Sequence, residues 1–410
     1  MKKNKPELVC PAGEWASLVT AIESGADSVY FGIKGLTMRN LATNFDLLEL
    51  PKIMRVLHKN KKKGYLALNV IIKNKELSKI EKILDKAKQA EVDAIILWDM
   101  AVFSLARQRK LPIHLSTQAS VSNTEALSFF ARQGARRVIL ARECSLFELQ
   151  DIITHIRKQN LKCEIETFIH GAMCISISGR CFLSQYAYGK SANRGECLQL
   201  CRREFLIKDL QEDEEFILGK DYILSAKDLC TIDFIDVLIK AGVSAFKIEG
   251  RMRSPEYIKV VTTSYRRAID LFFAGKLTDS LKKRLKKELK KVYTRGFSSG
   301  FYFGSPRRAL STYLAHQFEK IYLGEIKKFY KKISVAEVIL HHRGIQRGDE
   351  ILCVGKNTPA NFTVINEIQK QHIFVERAHK GESVGLKLPF TVKAKDKVFL
   401  WQRKYSSQTL

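Results

Sequence analysis

Residues 64–99 read GYLALNVIIKNKELSKIEKILDKAKQAEVDAIILWD, and this stretch decides the fold. Its first apolar run, 64–72, opens on a glycine and gives way to lysine and asparagine, as a buried strand does. Residues 77–90 then place Leu77, Ile80, Ile83, Leu84 and Ala87 on one face at helical spacing, with charged residues between them. A second apolar run follows at 93–99. Strand, amphipathic helix and strand in such close succession make a βαβ unit, whose strands lie parallel.

Outward from this unit the alternation repeats in both directions. Upstream are strands at 7–10 and 27–32, with helices from Trp15 to Ser24 and over 47–60. Downstream, strands at 113–120, 136–143, 162–171 and 243–250 alternate with helices at 124–135, 145–159 and 226–242. A helix opened by Pro255 closes the series at 254–275. Eight strands alternating with helices over about 270 residues predict an α/β fold of the (β/α)8 TIM-like barrel type. A doubly wound open sheet is the alternative, but it expects a glycine-rich phosphate loop after the first strand, and CPAGEW at 10–15 is not one.

The barrel domain is expected over 1–275, with a cysteine-rich insertion at 171–230 after the seventh strand. A basic helix and a Gly/aromatic linker or lid follow at 276–319. From 320 to 410 the pattern changes to short alternating segments separated by turn residues, predicting a small antiparallel β-barrel. Barrel active sites form where strands end at the C-terminal face. That rule selects Cys10, Arg39, Asn69, Asp99, Gln118, Arg142, Glu143, His170, Glu249 and Arg251. Among them Arg39, Arg142 and Arg251 are candidates to bind a carboxylate or a phosphate, because a guanidinium fork matches both. Glu249 is a candidate acid/base group, and His170 a candidate base near Cys174.

The formal charge of +27 favours a polyanionic partner, with dense basic runs at 59–64 and 276–296. Leu277, Leu281, Leu285 and Leu289 would dock the second of these while its lysines face out. The absence of an 18-residue apolar run and of a signal-like N-terminus leads us to expect a cytoplasmic protein that does not span a membrane. In that reducing compartment nine cysteines suggest metal binding or catalysis rather than disulfides. Cys174, Cys181, Cys197 and Cys201 fall in one segment rich in glycine, serine, arginine and asparagine, which can wrap a ligand more easily than it can pack. Their wide spacing suits a [4Fe–4S] cluster better than zinc, whose sites use paired tight knuckles. Cys10, Cys144, Cys163 and Cys353 sit in apolar contexts and read as core, although Cys10 could see the site.

Three stretches carry a resemblance: PELVCPAGEWASLVTAIESGADSVYFG at 6–32, ETFIHGAMCISISGRCFLSQY with NRGECLQLCR at 166–202, and SAKDLC with FKIEGRMRSPEYI at 225–258. They resemble the family catalogued as peptidase U32, and 320–403 looks like that family's C-terminal β domain. Some members were labelled collagenases. Others act with an iron–sulfur cluster in oxygen-independent hydroxylations: 5-hydroxyuridine in tRNA, 5-hydroxycytidine in 23S rRNA, and ubiquinone synthesis. The resemblance implies a [4Fe–4S] cluster on Cys174, Cys181, Cys197 and Cys230, with Cys201 as the alternative to Cys197. Chain size favours the tRNA branch, which implies tRNA as partner, prephenate as hydroxyl source and room for a partner subunit of the same family. The competing readings are a peptidase, an rRNA hydroxylase and a non-catalytic RNA-binding protein.

Overall fold

A computed structural model of the chain describes residues 5–203, 205–208, 215–218, 225–304 and 317–404. In chain order the first elements are β1 (Glu7–Ala12), α1 (Trp15–Glu23), β2 (Ser28–Gly32), α2 (Leu50–Lys59), β3 (Lys63–Ala67), α3 (Leu77–Gln89) and β4 (Ala94–Leu97). They continue with α4 (Met100–Gln108), β5 (Ile113–Leu115), α5 (Thr124–Arg132), β6 (Ala135–Ile139), α6 (Leu146–Lys158) and β7 (Glu164–Gly171). After the cysteine-rich segment come β10 (Asp228–Cys230), α8 (Ile235–Ala241), β11 (Ala245–Ile248), α9 (Pro255–Phe273), α10 (Asp279–Leu289) and β12 (Phe297–Ser298). Within that segment lie α7 (Leu183–Tyr188) and a hairpin of β8 (Phe205–Lys208) with β9 (Glu215–Leu218).

Strands β1 to β7 pair in parallel and in sequence, and β11 pairs with both β7 and β1. The sheet is thereby a closed eight-stranded parallel barrel, as the strand count predicts. Its short strands are buried on both faces because helices cover the outside while side chains fill the inside. Local signals set the helix starts. Asp99 accepts from the amides of Ala101 and Val102, Asn123 from Ala126, and Ser145 with Glu148 forms a capping box at α6.

The inside of the barrel is partly ionic. Arg137 on β6 bonds Glu7 at 3.0 Å and Glu166 at 3.1 Å, and also pairs with Glu164. The fully buried Glu166 takes a second cation, Lys247 of β11, at 2.7 Å. Tyr65 donates to Glu7, and its ring packs on His114. Charges taken out of water persist when opposite charges and hydrogen bonds meet them, and here Arg137 and Lys247 each have a carboxylate.

Two expectations change. Residues 226–242 do not form one helix: Asp228–Cys230 is a short strand antiparallel to β7, and α8 begins at Ile235. The 295–304 part of the proposed lid is docked on the barrel, its Tyr302 hydroxyl donating to the Phe168 carbonyl and its Arg295 clamped on Asp228. The stretch 305–316 lies outside the described residues. Helix α10 buries Leu285 and Leu289 in the barrel core while Lys283 and Lys287 face solvent.

The C-terminal part has its own apolar core around Leu323, Val338, Ile351 and Val398. Its strands are β13 (Phe318–Tyr330), β14 (Val335–Leu340), β15 (Ile345–Gln346), β16 (Glu350–Gly355), β17 (Thr358–Val364), β18 (Ile368–Lys370), β19 (Ile373–Val375), β20 (Arg377–Ala378), β21 (Ser383–Lys387) and β22 (Lys397–Arg403). Eight of them form one antiparallel sheet in the order β17-β16-β22-β13-β14-β21-β18-β19, and β15 pairs with β20. The sheet docks on the barrel where the Ala360 amide donates to Thr20 of α1 at 2.9 Å and Lys320 meets Glu256 of α9 at 2.8 Å. No helix among the described residues is long and apolar enough to cross a membrane.

Candidate active site at the C-terminal mouth of the barrel

A cavity of about 300 Å³ opens where the barrel strands end. Rim residues from separate strands converge on it. Glu249, one residue beyond β11, accepts from Arg39 at 3.3 Å and from Arg142 at 3.0 Å. Arg142 also donates to the Ala172 carbonyl and lies over the Phe168 ring at 4.1 Å. Arg251 is buried and donates to Thr37. Asn69 and Gln118 line the wall, the Asn69 side-chain amide donating to Gln118 Oε1 at 3.0 Å and the Gln118 amide to the Asn69 backbone carbonyl at 3.2 Å.

The charges decide what these groups can do. Burial alone would raise the Glu249 carboxyl, but Arg39, Arg142 and Arg251 outweigh it and hold the group down at about 2. Near neutrality Glu249 is therefore a fixed anion that positions Arg39 and Arg142, not a proton donor. Burial lowers Arg251 to about 10. A carboxyl depressed from 4.5 to about 2 contributes about 3 kcal/mol to folding, present above the unfolded value and lost as pH falls toward 2. The wild type is expected to exceed Glu249→Gln in stability at pH 6 and to lose that advantage between pH 4.5 and 2, as read by urea titration. A constant difference across that range would refute the ion-pair account.

His170 does not join the cavity. On β7 the alternation Glu166, Phe168 would turn His170 inward, but the β11 pairing skips Ile169, so a bulge reverses the side-chain direction. His170 instead packs among Tyr265, Tyr257 and Phe297, and burial lowers it to about 4. It is no partner for Cys174.

The cysteines divide by surroundings. Cys174, Cys181, Cys197 and Cys201 line the cavity and are half-buried. Cys230 is 3 % exposed, sits opposite His170 in the β7–β10 ladder, and its sulfur accepts from Tyr265. Burial pushes its thiol up to about 11, and those of Cys10, Cys144, Cys163 and Cys353 to about 12. Cys10 faces Thr262 of α9 and does not see the site.

The segment carrying the four cavity thiols is held by polar anchors rather than by an apolar core. Glu143 accepts from the Ser178 amide and hydroxyl, at 2.7 and 3.0 Å. Asn193 clamps the Cys181 backbone through both amide atoms at 3.2 Å. Arg194 grips Glu76 and the Ile71 carbonyl. Gly195, at φ 89°, lies so close to the Thr37 carbonyl that an added Cβ would collide with it. Gly195→Ala is expected to destabilise the fold by about 2 kcal/mol or more, and to loosen the segment so that Cys197 alkylates faster under native conditions. Unchanged stability and alkylation would show that the close approach is not needed.

Among the described residues no three His, Cys, Asp or Glu side chains are grouped closely enough for a single metal ion. Four thiols set around a cavity instead suit a polynuclear cluster, whose thiolate ligands stand further apart. Two of the sulfurs already accept backbone amides, from Ser176 to Cys174 and from Leu183 to Cys181, both at 3.4 Å. Such bonds to sulfur tune iron–sulfur centres. Of the ligands that the resemblance implies, Cys174, Cys181 and Cys197 line the cavity with Cys201 beside them, and their chemistry fits that group.

Sequence reasoning missed Lys247 and Arg253, which also line the cavity. Lys247 is hidden in a strand interior, where period-2 alternation offered the signal. Arg202 lines the cavity too, and burial together with Arg295 and Arg253 lowers it to about 10.

The model of peptidase family U32 matches residues 13–312. An uncharacterized protease of Methanocaldococcus jannaschii is 42 % identical over 96 % of this chain and 98 % of its own. A protein of Porphyromonas gingivalis named collagenase is 36 % identical over 98 % of this chain and 100 % of its own. The tRNA hydroxylation protein P1 of Bacillus subtilis is 36 % identical over 66 % of this chain and 64 % of its own.

Proposed function

The chain belongs to peptidase family U32, and on that premise we propose that it is an iron–sulfur-dependent RNA hydroxylase. Its product is 5-hydroxyuridine at the tRNA wobble position, and prephenate is the source of the hydroxyl group. The observation that carries this reading is the convergence on one cavity of four thiols with a strongly cationic lining. Arg39, Arg142, Arg202, Lys247, Arg251 and Arg253 line it with, among the described residues, one carboxylate, Glu249.

Cys174, Cys181, Cys197 and Cys201 would hold a [4Fe–4S] cluster, which would supply one-electron and Lewis-acid chemistry. The protein's own groups bind and orient. Glu249 fixes the Arg39 and Arg142 guanidiniums toward the cavity, where they hold a carboxylate of the donor in forked hydrogen bonds. The Asn69 and Gln118 amides, locked to each other, present a rigid polar wall to the base. Exposed Phe182, Tyr186 and Tyr188 stand beside Arg180, Lys190 and Arg203 on the segment that forms the mouth. Aromatic faces interleaved with cations suit unpaired nucleotides.

The names of relatives that span the whole chain favour a second reading, a collagenase-type peptidase. Hydrolysis by a cysteine needs a base in hydrogen-bond reach, and no histidine lines the cavity among the described residues. Nucleoside mass spectrometry of bulk tRNA decides. A deletion strain is expected to lose 5-hydroxyuridine derivatives and to regain them with the intact gene. Unchanged levels together with collagen-peptide cleavage by the purified protein would overturn the proposal in favour of the peptidase.

A further inference from the structure

The cations at the cavity are not equally engaged. Arg39 and Arg142 share Glu249, Lys247 is held by Glu166, and Arg251 donates to Thr37. Arg202 and Arg253 differ from these. Arg202 gives one N–H to Gln199 of its own turn, while its Nε is buried without a partner among the described residues. Arg253 lies over Tyr293 at 4.0 Å and Tyr257 at 5.5 Å, and no carboxylate pairs with it among the described residues. A third guanidinium nearby, Arg295, does not relieve the imbalance. Asp228, the neighbouring carboxylate, is taken by the Nε, Nη2 and backbone amide of Arg295.

A buried N–H without an acceptor is unfavourable, and like charges drawn together add to the cost. Both terms reverse when an anion enters. The chemistry that fits is a tetrahedral oxyanion, with several acceptor oxygens for forked donors from two arginines. The ring faces under Arg253 restrain its guanidinium plane, so less side-chain freedom is lost on binding.

We propose that Arg202 and Arg253 form a phosphate-binding site at the cavity, which takes a phosphate flanking the nucleotide that enters. The proposal rests on the RNA reading above and adds to it a division of labour. Arg39, Arg142 and Arg251 serve the small carboxylate, and Arg202 and Arg253 serve the nucleic-acid backbone.

Calorimetric titration of the anaerobically purified full chain with uridine 5′-monophosphate and with uridine tests the site. The monophosphate is expected to bind at least about tenfold more tightly than the nucleoside, as charge-assisted contacts to two arginines imply. Arg202→Gln and Arg253→Gln should each cut that ratio severalfold with iron content unchanged. Lys283→Gln, on the solvent face of α10, should leave it intact. In tRNA binding each arginine variant should lower the slope of log affinity against log salt by about 0.7 to 1. A wild-type ratio near one, or a ratio kept in both variants, overturns the site. So does loss of iron in Arg202→Gln with the ratio kept, which would make that guanidinium a counter-ion of the thiolates. Should the ratio behave as expected while a deletion strain keeps its 5-hydroxyuridine, the phosphate site stands and the hydroxylase reading falls.

Discussion

Protein carrying Cys181→Ala, purified anaerobically, is expected to lose at least about tenfold in bound iron and acid-labile sulfide, as removal of a ligand from a thiolate site requires. Cys181 lines the cavity, its backbone is clamped by Asn193, and its sulfur accepts the Leu183 amide. That much placement for a sulfur without an apolar pocket is the mark of a ligand rather than of a packing residue. Cys201→Ala should empty the site as well. Cys230→Ala should keep its iron and lower stability, because Cys230 is a buried side chain against Tyr265 and removing it leaves a void in the β7–α9 packing. Cys353→Ala, in the second core, should behave like Cys230→Ala. If Cys230→Ala empties the site and Cys201→Ala leaves it full, the ligand set implied by family resemblance holds and the one taken from the cavity lining is wrong. Iron-free wild-type protein would sink both.

The largest loss of stability is expected from Glu166→Ala, about 4 kcal/mol, the scale for breaking a buried ion pair from one side. Arg137 would retain Glu7 and Glu164, but Lys247 has no other carboxylate at salt-bridge distance among the described residues. The ammonium would stay charged at a high desolvation cost or shed its proton, and burial already lowers its affinity for that proton. The denaturation midpoint should fall at unchanged slope. The double variant Glu166→Ala/Lys247→Met should recover at least half of the loss, because it removes the stranded charge and refills the space. A loss under about 1 kcal/mol in the single variant would mean that water reaches Lys247 from the cavity and solvates it.

The barrel was legible because each strand is a short apolar run and each following helix keeps a clear face, so local pattern and global fold agree. Arg39, Arg142, Glu249 and Arg251 were legible for a related reason. They sit just past strand ends, where the fold itself supplies an address. Three features were not readable, all for want of non-local information. The three-residue β10 exists through its pairing with β7, and three residues cannot display a period. The bulge that turns His170 outward arises from the register between β7 and β11, whose paired residues lie about eighty positions apart in the chain. The pairing of Glu166 with Lys247 spans the same distance, and nothing local in either strand marks the other as its partner. The thiols were visible as a group, yet which of them line one cavity could not be read from their spacing.

The β7–β10 pairing has a further consequence. Gly171 and Leu229 are partners across one rung of that ladder, so the chain departs from the barrel and re-enters it at nearly the same point. The described residues between them hang from a closed stem. Lengthening such a loop costs entropy that grows only as the logarithm of its length, and the barrel registers on either side need not shift. The 172–228 excursion is thus a cassette: a descendant or an engineer could exchange it whole, thiols, aromatic faces and Arg202 together, and the eight strands would still close. In this architecture a change of substrate need not be a change of fold.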